Sequence, residues 1–354
     1  MAAFTGAAGE IDVDATNNRV VVQDGTTAGG WPAARLSEIA GGFLNKFRNG
    51  TMDIWQRGTS GLTATTSGAY TADGWIVLPT GASVTAAQAG GRLLTKASLQ
   101  VTGASSVTGL IVKQRIESLM AAALCSQTVT VQAQVFNNTG SGITPKLTVN
   151  RPSSQDNYAS ITADVNAVSL QACATSAWTL VSYTFQANAA SYNGLEIAFD
   201  FGNNFGSSGK SVQIAECDIR VTNGLATGLN ANPPAPELRP VAIESALCVR
   251  YFLQITNPKF LGIAGSSSNA SRLGLTLEIP MRAAPSLTLN GSLPVFFGAS
   301  GATGTSSLTS IVTNYSTTQA LEFDGGVSPG SMTPGFPVMV YQSGSGSVSA
   351  SAEL

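Results

Sequence analysis

The stretch Val129-Thr130-Val131-Gln132-Ala133-Gln134-Val135 alternates apolar and polar residues along its whole length. Successive side chains of a β-strand point to opposite faces, so this pattern predicts a strand with one buried face. The turn-forming run Asn137–Gly140 ends it. Several short strands separated by turns are typical of an antiparallel sandwich. Further strands are predicted at Leu147–Asn150, Trp178–Gln186, Leu195–Phe201 and Val212–Val221.

Composition favours the same fold class. Of the 354 residues, 43% are hydrophobic and only 11% are charged, against roughly 25% charged in an average soluble protein. A surface covered by Ser, Thr, Asn, Gln and Gly favours turns and short strands over exposed helices. We therefore predict an all-β protein. A net charge of −2 without any basic run argues against a nucleic-acid partner.

Membrane insertion and secretion are both disfavoured by the sequence. The longest apolar stretch, Leu119–Cys125, is far shorter than the ~20 residues that a membrane-spanning helix needs. The start Met1–Phe4 lacks the basic residues and apolar core of a signal peptide. We expect the chain either to stay in the cytoplasm where it is made or to leave it by a route other than secretion.

Changes in pattern along the chain predict four parts. Residues 1–44 form an N-terminal hairpin segment, 45–229 a central sandwich, 230–240 a proline-rich linker and 241–354 a C-terminal, sandwich-like β domain. Three shorter segments leave their structure more open. Ala33–Phe47 fits a short helix or an irregular linker equally well, Val241–Gln254 fits a short helix, and the tail from Gln342 fits a final strand or a frayed end.

The N-terminal hairpin points to partners outside its own chain. Glu10–Asp14 alternates in character, Ala15–Asn18 offers turn residues, and Arg19–Gln23 resumes as strand. A hairpin alone cannot bury its apolar face and is marginal in water. If it is ordered, we expect its neighbours to come from other copies of the chain.

The sequence lacks the residues that most common enzyme mechanisms require. The chain has no histidine, which excludes Ser-His-Asp and Cys-His catalysis and His-ligated metals. The four cysteines form no metal-binding pair, and free thiols are favoured over one disulfide. A pair of carboxylates that cleaves sugars is the one class left open, with Asp53 and Asp73 or Glu196 and Asp200 as candidates. We expect no catalytic residues, no cofactor and no metal.

Sugar binding without cleavage is the sharper hypothesis. Sugar sites combine an aromatic face for stacking with amide or carboxylate groups for hydroxyls. The candidate glycan-binding residues are Trp178, Tyr183, Tyr192 and Asn193. The alternative is that Trp55, Trp75 and Trp178 fill the core of the sandwich. This alternative is favoured for Trp55 and Trp75 and, less strongly, for Trp178. Arg57 is either oriented by a carboxylate such as Asp73 or a free surface arginine.

Three stretches, taken in order, resemble parts of bacteriophage and prophage tail-fibre proteins. The first resembles a hairpin motif near the start of such proteins, the second the opening of a carbohydrate-binding-module-like jelly roll, and the third the segment that follows that jelly roll. They are Gly9–Asp14 with Arg19–Thr27; Asn49–Ser60 with Tyr70–Trp75; and Glu244–Phe252, preceded by Arg239–Pro240 and continued by Pro280–Pro285.

The resemblance implies a function that the residues alone do not. It implies a non-enzymatic structural protein of the virion, a tail fibre or receptor-binding subunit, with a central jelly-roll sandwich. Release by host lysis as part of a virus particle would be one route out of the cell other than secretion. The resemblance also implies a homotrimer, contacts with other virion proteins and contact with a host glycan or protein. The trimer interface is expected at the hairpin residues Ile11, Val13, Val20 and Val22. The alternatives are a capsid or baseplate fibre without receptor contact, a lectin-like module and a capsule-degrading enzyme.

Overall fold

The computed structural model describes residues 5–14, 19–26, 31–32, 43–92, 94–297, 306–341 and 346–354. It consists of antiparallel sheets, which confirms the all-β prediction. The chain divides into two compact units. The first contains Met1–Asp53, Ser60–Tyr70 and Trp75–Arg239, and the second contains Ile54–Thr59, Thr71–Gly74 and Pro240–Leu354.

The predicted N-terminal hairpin is present as β1 (Ile11–Asp14) and β2 (Arg19–Val22), extended by a short β3 (Trp31–Pro32). The register sets Ile11 opposite Val22 and Val13 opposite Val20. Residues directly opposite in an antiparallel pair share a face, so these four side chains form one apolar stripe. Their exposed fractions are 70%, 62%, 46% and 44% for Ile11, Val13, Val20 and Val22. The stripe is therefore uncovered in the single chain.

A seven-stranded sheet runs in the order β16-β13-β10-β15-β8-β7-β4. Its strands are β4 (Leu62–Ala64), β7 (Val84–Gly90), β8 (Ala97–Thr102), β10 (Thr128–Asn138), β13 (Ala177–Gln186), β15 (Ser211–Val221) and β16 (Gly228–Leu229). The alternation in β10 works as predicted, because Val129, Val131, Ala133 and Val135 are all buried on one face. The opposite face carries the amides and hydroxyls.

A six-stranded sheet completes a sandwich-like arrangement, in the order β12-β11-β14-β9-β6-β5. Its strands are β5 (Ala69–Tyr70), β6 (Trp75–Thr80), β9 (Gly109–Ile116), β11 (Lys146–Pro152), β12 (Ile161–Ser169) and β14 (Leu195–Asp200). A short helix α1 (Ser118–Ala121) and two 3-10 turns (Ala122–Leu124 and Ala189–Asn193) connect strands. Trp75 is fully buried in this unit, and its indole nitrogen donates to the Asn49 carbonyl at 3.1 Å.

The second unit is a closed six-stranded barrel together with a three-stranded sheet, β17-β25-β20. The barrel, in the order β18-β19-β23-β22-β21-β24, closes around Phe260 and Phe323, whose ring centroids lie 5.0 Å apart. The elements of the unit are α2 (Val241–Val249), β17 (Phe252–Ile255), β18 (Lys259–Ser266), β19 (Asn269–Thr276), β20 (Ser286–Asn290), β21 (Leu293–Phe297), β22 (Ser307–Asn314), β23 (Ala320–Ser328), β24 (Pro337–Tyr341) and β25 (Ser347–Ser351).

Three local expectations have different outcomes. The helix expected over Val241–Gln254 stops at Val249, because Phe252 starts strand β17 and pairs with β25. The tail becomes a strand, β25, within its described part. Of the segment expected as helix or linker, residues 33–42 lie outside the described residues, and 43–47 are not helical.

The motif that follows Asp53 belongs to the second unit. The Gln56 backbone N–H and side-chain amide both donate to the buried carboxylate of Asp73, at 3.1 and 2.5 Å. Arg57 lies 3.8 Å from Asp73 and 3.2 Å from Glu353, and its guanidinium stacks over the Phe252 ring. Arg57 is thus oriented by carboxylates, which is the first of the two alternatives from the sequence.

Trp55 is also buried, as expected of a core tryptophan. It lies in the second unit, however, and not in the sandwich.

Candidate functional site

The polar face of the seven-stranded sheet carries an aligned set of aromatic and amide side chains. The register places Trp178 on β13 opposite Phe136 on β10, Phe136 opposite Gln213 on β15, and Gln213 opposite Gln100 on β8. We call these four residues the amide–aromatic row. Strands lie about 4.8 Å apart, so the row extends over roughly 14 Å across the sheet.

The aromatic end of the row remains partly open. Phe136 and Trp178 are both half-buried, with ring centroids 5.5 Å apart and planes tilted by 52°. Neither ring lies on the buried face, because Trp178 alternates with the core residues of β13. A half-exposed aromatic pair on a sheet offers an apolar surface on which a sugar ring can stack.

The amide end of the row offers donors and acceptors. The Gln213 side-chain oxygen accepts from the Ser98 hydroxyl at 3.0 Å. The Gln100 amide makes only a long contact, 3.5 Å, with the Thr102 hydroxyl. Beside the row lies Gln134, whose side-chain oxygen is buried and receives no hydrogen bond from the described residues. Buried polar atoms normally find a partner, and this oxygen is an exception that lies below the open surface of the row.

The linker expected after residue 229 lies across the same face and bounds the row on one side. Gln132 donates from its side-chain amide to the Pro234 carbonyl at 2.6 Å, and the Ser182 hydroxyl donates to the Asn230 carbonyl at 2.7 Å. Asp218 accepts the backbone N–H of Glu237 at 2.7 Å. The linker therefore covers the half of the face beyond Gln134 and leaves the row partly open.

One charged group of β15, Asp218, is held in the covered half of the face. Asp218 is fully buried, and burial raises the pKa of its carboxyl, although hydrogen bonds from Arg220 oppose that change. The row itself contains no ionisable side chain, so its chemistry is that of neutral amides and aromatic faces. Such a surface suits the hydroxyl groups and apolar ring faces of neutral sugars.

The four glycan-binding candidates from the sequence do not form one site. Trp178 lies in the row, but Tyr183 is five residues further along the same strand and points to the opposite face. Tyr192 and Asn193 lie in the 3-10 turn Ala189–Asn193, where Tyr192 is 59% exposed. The Asn193 amide donates there to the carbonyls of Pro152 and Ser153.

Sequence reasoning missed Phe136, Gln213 and Gln100. Each occupies a polar-face position of a strand that the alternation pattern identifies, as Phe136 does in β10. The alternation pattern shows which face of the sheet a residue lies on but not which residues face it on other strands. The row could therefore be identified only from the strand register.

The candidate carboxylate pair Glu196 and Asp200 does not fit the geometry of sugar cleavage. Glu196 and Asp200 are four residues apart on β14, which separates their Cα atoms by roughly 13 Å. The two carboxyl groups of a glycosidase lie about 5–9.5 Å apart. Glu196 is moreover engaged by Lys113 and Arg115, at 2.9 and 3.0 Å. Asp53 and Asp73 belong to different units.

Among the described residues, no three Cys, Asp or Glu side chains come together in a group that could bind a metal ion. The four cysteines are free thiols, and Cys173, Cys217 and Cys248 are buried. Within the described part of the chain, no helix is both long and apolar enough to span a membrane.

Comparison with known proteins supports the resemblance to tail fibres over a limited stretch. No protein-family model matches the sequence. A stretch of 43 residues is 56% identical to part of the tail fiber receptor-binding protein of Bordetella phage BPP-1. This stretch is 12% of the chain and 11% of the phage protein. The match therefore spans only a small part of that relative's length.

Solved structures that partly resemble this chain include phage and carbohydrate-binding proteins. One is the enzymatically active domain of tailspike protein 4 of bacteriophage CBA120, with 12% identity, a TM-score of 0.35, and coverage of 51% of this chain and 22% of the tailspike chain. Another is the CBM22-1 xylan-binding domain of Paenibacillus barcinonensis Xyn10C, with 16% identity, a TM-score of 0.30, and coverage of 47% of this chain and 98% of that domain.

Proposed function

We propose that the protein is a non-enzymatic virion structural protein, a phage tail-fibre or receptor-binding subunit that contacts a host-surface glycan. The observation that carries the glycan contact is the amide–aromatic row, an uncharged and partly open set of side chains on one sheet face. The stretch shared with a tail fiber receptor-binding protein supports the virion setting. The partners are other virion proteins, two further copies of the chain, and the host surface.

Binding without cleavage is the chemistry that the row can perform. The aromatic end stacks on the apolar face of a sugar ring, and the amide end exchanges hydrogen bonds with its hydroxyls. One such shallow site binds weakly. Three copies in a trimer engage a repetitive glycan together, which raises avidity by roughly 10²–10⁴.

A glycan array followed by titration of the best neutral oligosaccharide tests the row. We expect Trp178→Ala to weaken binding about ten-fold or more, equivalent to about 1.4 kcal/mol, because it removes most of the stacking surface. The matched control is Tyr192→Ala, which deletes an exposed aromatic residue outside the row and should leave binding unchanged.

Three outcomes would redirect the proposal. Loss of binding in Tyr192→Ala but not in Trp178→Ala would move the glycan site to the 3-10 turn. Absence of binding to any glycan, combined with a position on the capsid or away from the host-facing tip in images of the particle, would favour a fibre without receptor contact. Release of sugar products by the purified protein would overturn the non-enzymatic assignment.

A further inference from the structure

A small hollow lies on the outer face of the six-stranded sheet in the first unit. It has a volume of about 170 Å³ and is lined by Ser67, Gly68, Ala69, Tyr70, Ile76, Leu78, Lys113 and Arg115. We call it the cation pocket, after the two cationic side chains, Lys113 and Arg115, in its lining. Pockets that enclose drug-sized ligands measure about 300–1,000 Å³, so this one suits a single group at the end of a larger ligand.

The pocket has a charged wall and an apolar wall. Lys113 and Arg115 are alternate residues of β9 and so project from the same face. They are the only ionisable Lys, Arg, Asp or Glu residues among the described lining residues. Across the sheet, Lys113 pairs with Ile76, and Ile76 pairs with Tyr70. A row of cation, aliphatic side chain and aromatic ring therefore crosses the pocket.

One carboxylate is shared by the two cations. Oε2 of Glu196 lies 2.9 Å from the Lys113 ammonium and accepts from the Arg115 guanidinium at 3.0 Å. The other oxygen, Oε1, accepts from the Asn150 amide at 3.2 Å. Glu196 is 2% exposed, whereas Lys113 and Arg115 keep 15% and 24% of their side-chain surface. This local group of three thus carries one net positive charge, and the cations are its more exposed members.

The direction of the pKa shift of Glu196 is consistent with the two cations beside it. Burial acts to raise the pKa of this carboxyl, but the attraction and hydrogen bonds of Lys113 and Arg115 outweigh burial and hold the pKa below its ordinary value. The two cations therefore stabilise negative charge here even where water is largely excluded. A second anion that approached from the pocket would meet the same two cations.

We infer that the cation pocket binds an anionic group, a carboxylate or a phosphate, carried on a sugar ring. Lys113 and Arg115 supply the charge-assisted hydrogen bonds that such a group prefers. Tyr70, Ile76 and Leu78 supply an apolar surface for the ring, which a bare ion would not use. This site lies on a different sheet from the amide–aromatic row, so the protein would read a neutral part and an acidic part of a glycan at separate places.

Titration calorimetry or NMR with small probes tests the inference. The probes are glucuronic acid for a carboxylate, glucose 6-phosphate for a phosphate, and glucose as the neutral control. We expect one or both anionic probes to bind while glucose does not bind at this site, and added salt to weaken that binding. We expect Lys113→Gln to weaken it roughly ten-fold or more, and Lys113→Arg to retain most of it.

The matched control is Lys146→Gln, which removes an exposed lysine from strand β11 of the same sheet, outside the pocket, and should change nothing. A circular dichroism melt checks that Lys113→Gln folds. Equal binding of glucose and glucuronic acid, or no binding of either anion by the unmodified protein, would overturn the inference. Trp178→Ala should leave anion binding intact, so failure of the amide–aromatic row and failure of the cation pocket give different results.

Discussion

Asp73 illustrates how a buried carboxyl can fix two short stretches of chain. It is 1% exposed and accepts two hydrogen bonds from Gln56, while the Gln56 side chain donates to the Phe252 carbonyl and accepts from the Gln254 N–H. Burial raises the pKa of Asp73 from 3.8 to about 6, against the opposing effects of Gln56 and Arg57. Burial in the folded protein thus imposes a free-energy cost on the ionised form of this carboxyl.

This cost predicts a pH dependence of stability. Because the pKa of Asp73 is higher in the folded protein than the ordinary 3.8, the folded state binds more protons between about pH 4 and 6. The contribution of Asp73 to the free energy of unfolding is therefore greatest at low pH and is lost as pH rises through about 6. The total loss is at most about 3 kcal/mol. Asp73→Asn should remove this slope from the thermal unfolding of the second unit, measured from pH 4 to 7.

Glu278→Gln is the control for that experiment, since it replaces an exposed carboxylate of the same unit. It should leave the slope as it is in the unmodified protein. An unchanged slope in Asp73→Asn would show that the pH dependence comes from other groups.

Single residues show where sequence reasoning succeeds and where it stops. An orienting carboxylate for Arg57 could be proposed from the sequence, because Asp73 lies nearby in the chain and guanidinium groups pair with carboxylates, but a free surface arginine fitted the sequence equally well. Trp178 could be proposed as a sugar contact from its polar neighbours. Its partner Phe136 could not, because 42 positions separate the two and only the register of β10 with β13 joins them.

At the level of elements, close backbone packing fixes a loop of the sandwich. Gly103 follows β8, and its N–H donates to the Lys210 carbonyl at 2.8 Å. A Cβ atom at this position would collide with the carbonyl group of Phe205, a residue that is itself fully buried. The backbone on either side therefore has little room to move.

Gly103→Ala should consequently destabilise the first unit by about 1–3 kcal/mol, the usual cost of forcing extra volume into a packed site. The matched control is Gly209→Ala in the loop before β15, where a Cβ would meet nothing within 4 Å. Urea unfolding of both variants gives the comparison. Similar stabilities for the two would contradict the steric argument.

Strands could be predicted well because one buried face imposes a period of two on the sequence. β10, β13 and β15 all extend over the stretches that alternate. Strand order and barrel closure could not be predicted in the same way, because they depend on pairings between distant segments. The closing pair of the barrel, β18 with β24, joins residues about 80 positions apart, such as Leu261 and Met339.

At the scale of the whole chain, the division into units is not a single cut. Two short stretches, Ile54–Thr59 and Thr71–Gly74, lie in the second unit although the sequence on either side of them belongs to the first. The linear sequence places Trp55, Gln56 and Arg57 next to the sandwich strands and gives no sign of this. The contacts of Gln56 with Phe252 and Gln254 explain it, because they are made with strand β17 of the second unit.

The hairpin stripe is the feature of the molecule that most needs a partner. Ile11, Val13, Val20 and Val22 are all more than 40% exposed on one face of the small sheet formed by β1, β2 and the two-residue β3, and so small a sheet gains little stability while its apolar face is uncovered. In the proposed trimer, three such stripes meet around the three-fold axis and bury one another. Light scattering should then give about three times the chain mass of 36.1 kDa.

Replacing the cross-strand pair, in the double variant Val13→Asn and Val20→Asn, should shift the protein toward the monomer, because buried amides without partners oppose association. Leu119→Asn is the control, since it changes a residue that is 69% exposed on α1 and leaves the hairpin intact. A monomeric unmodified protein would exclude a self-sufficient trimer and leave assembly on the particle as the alternative. A trimer that survives the double variant would place the interface elsewhere in the chain.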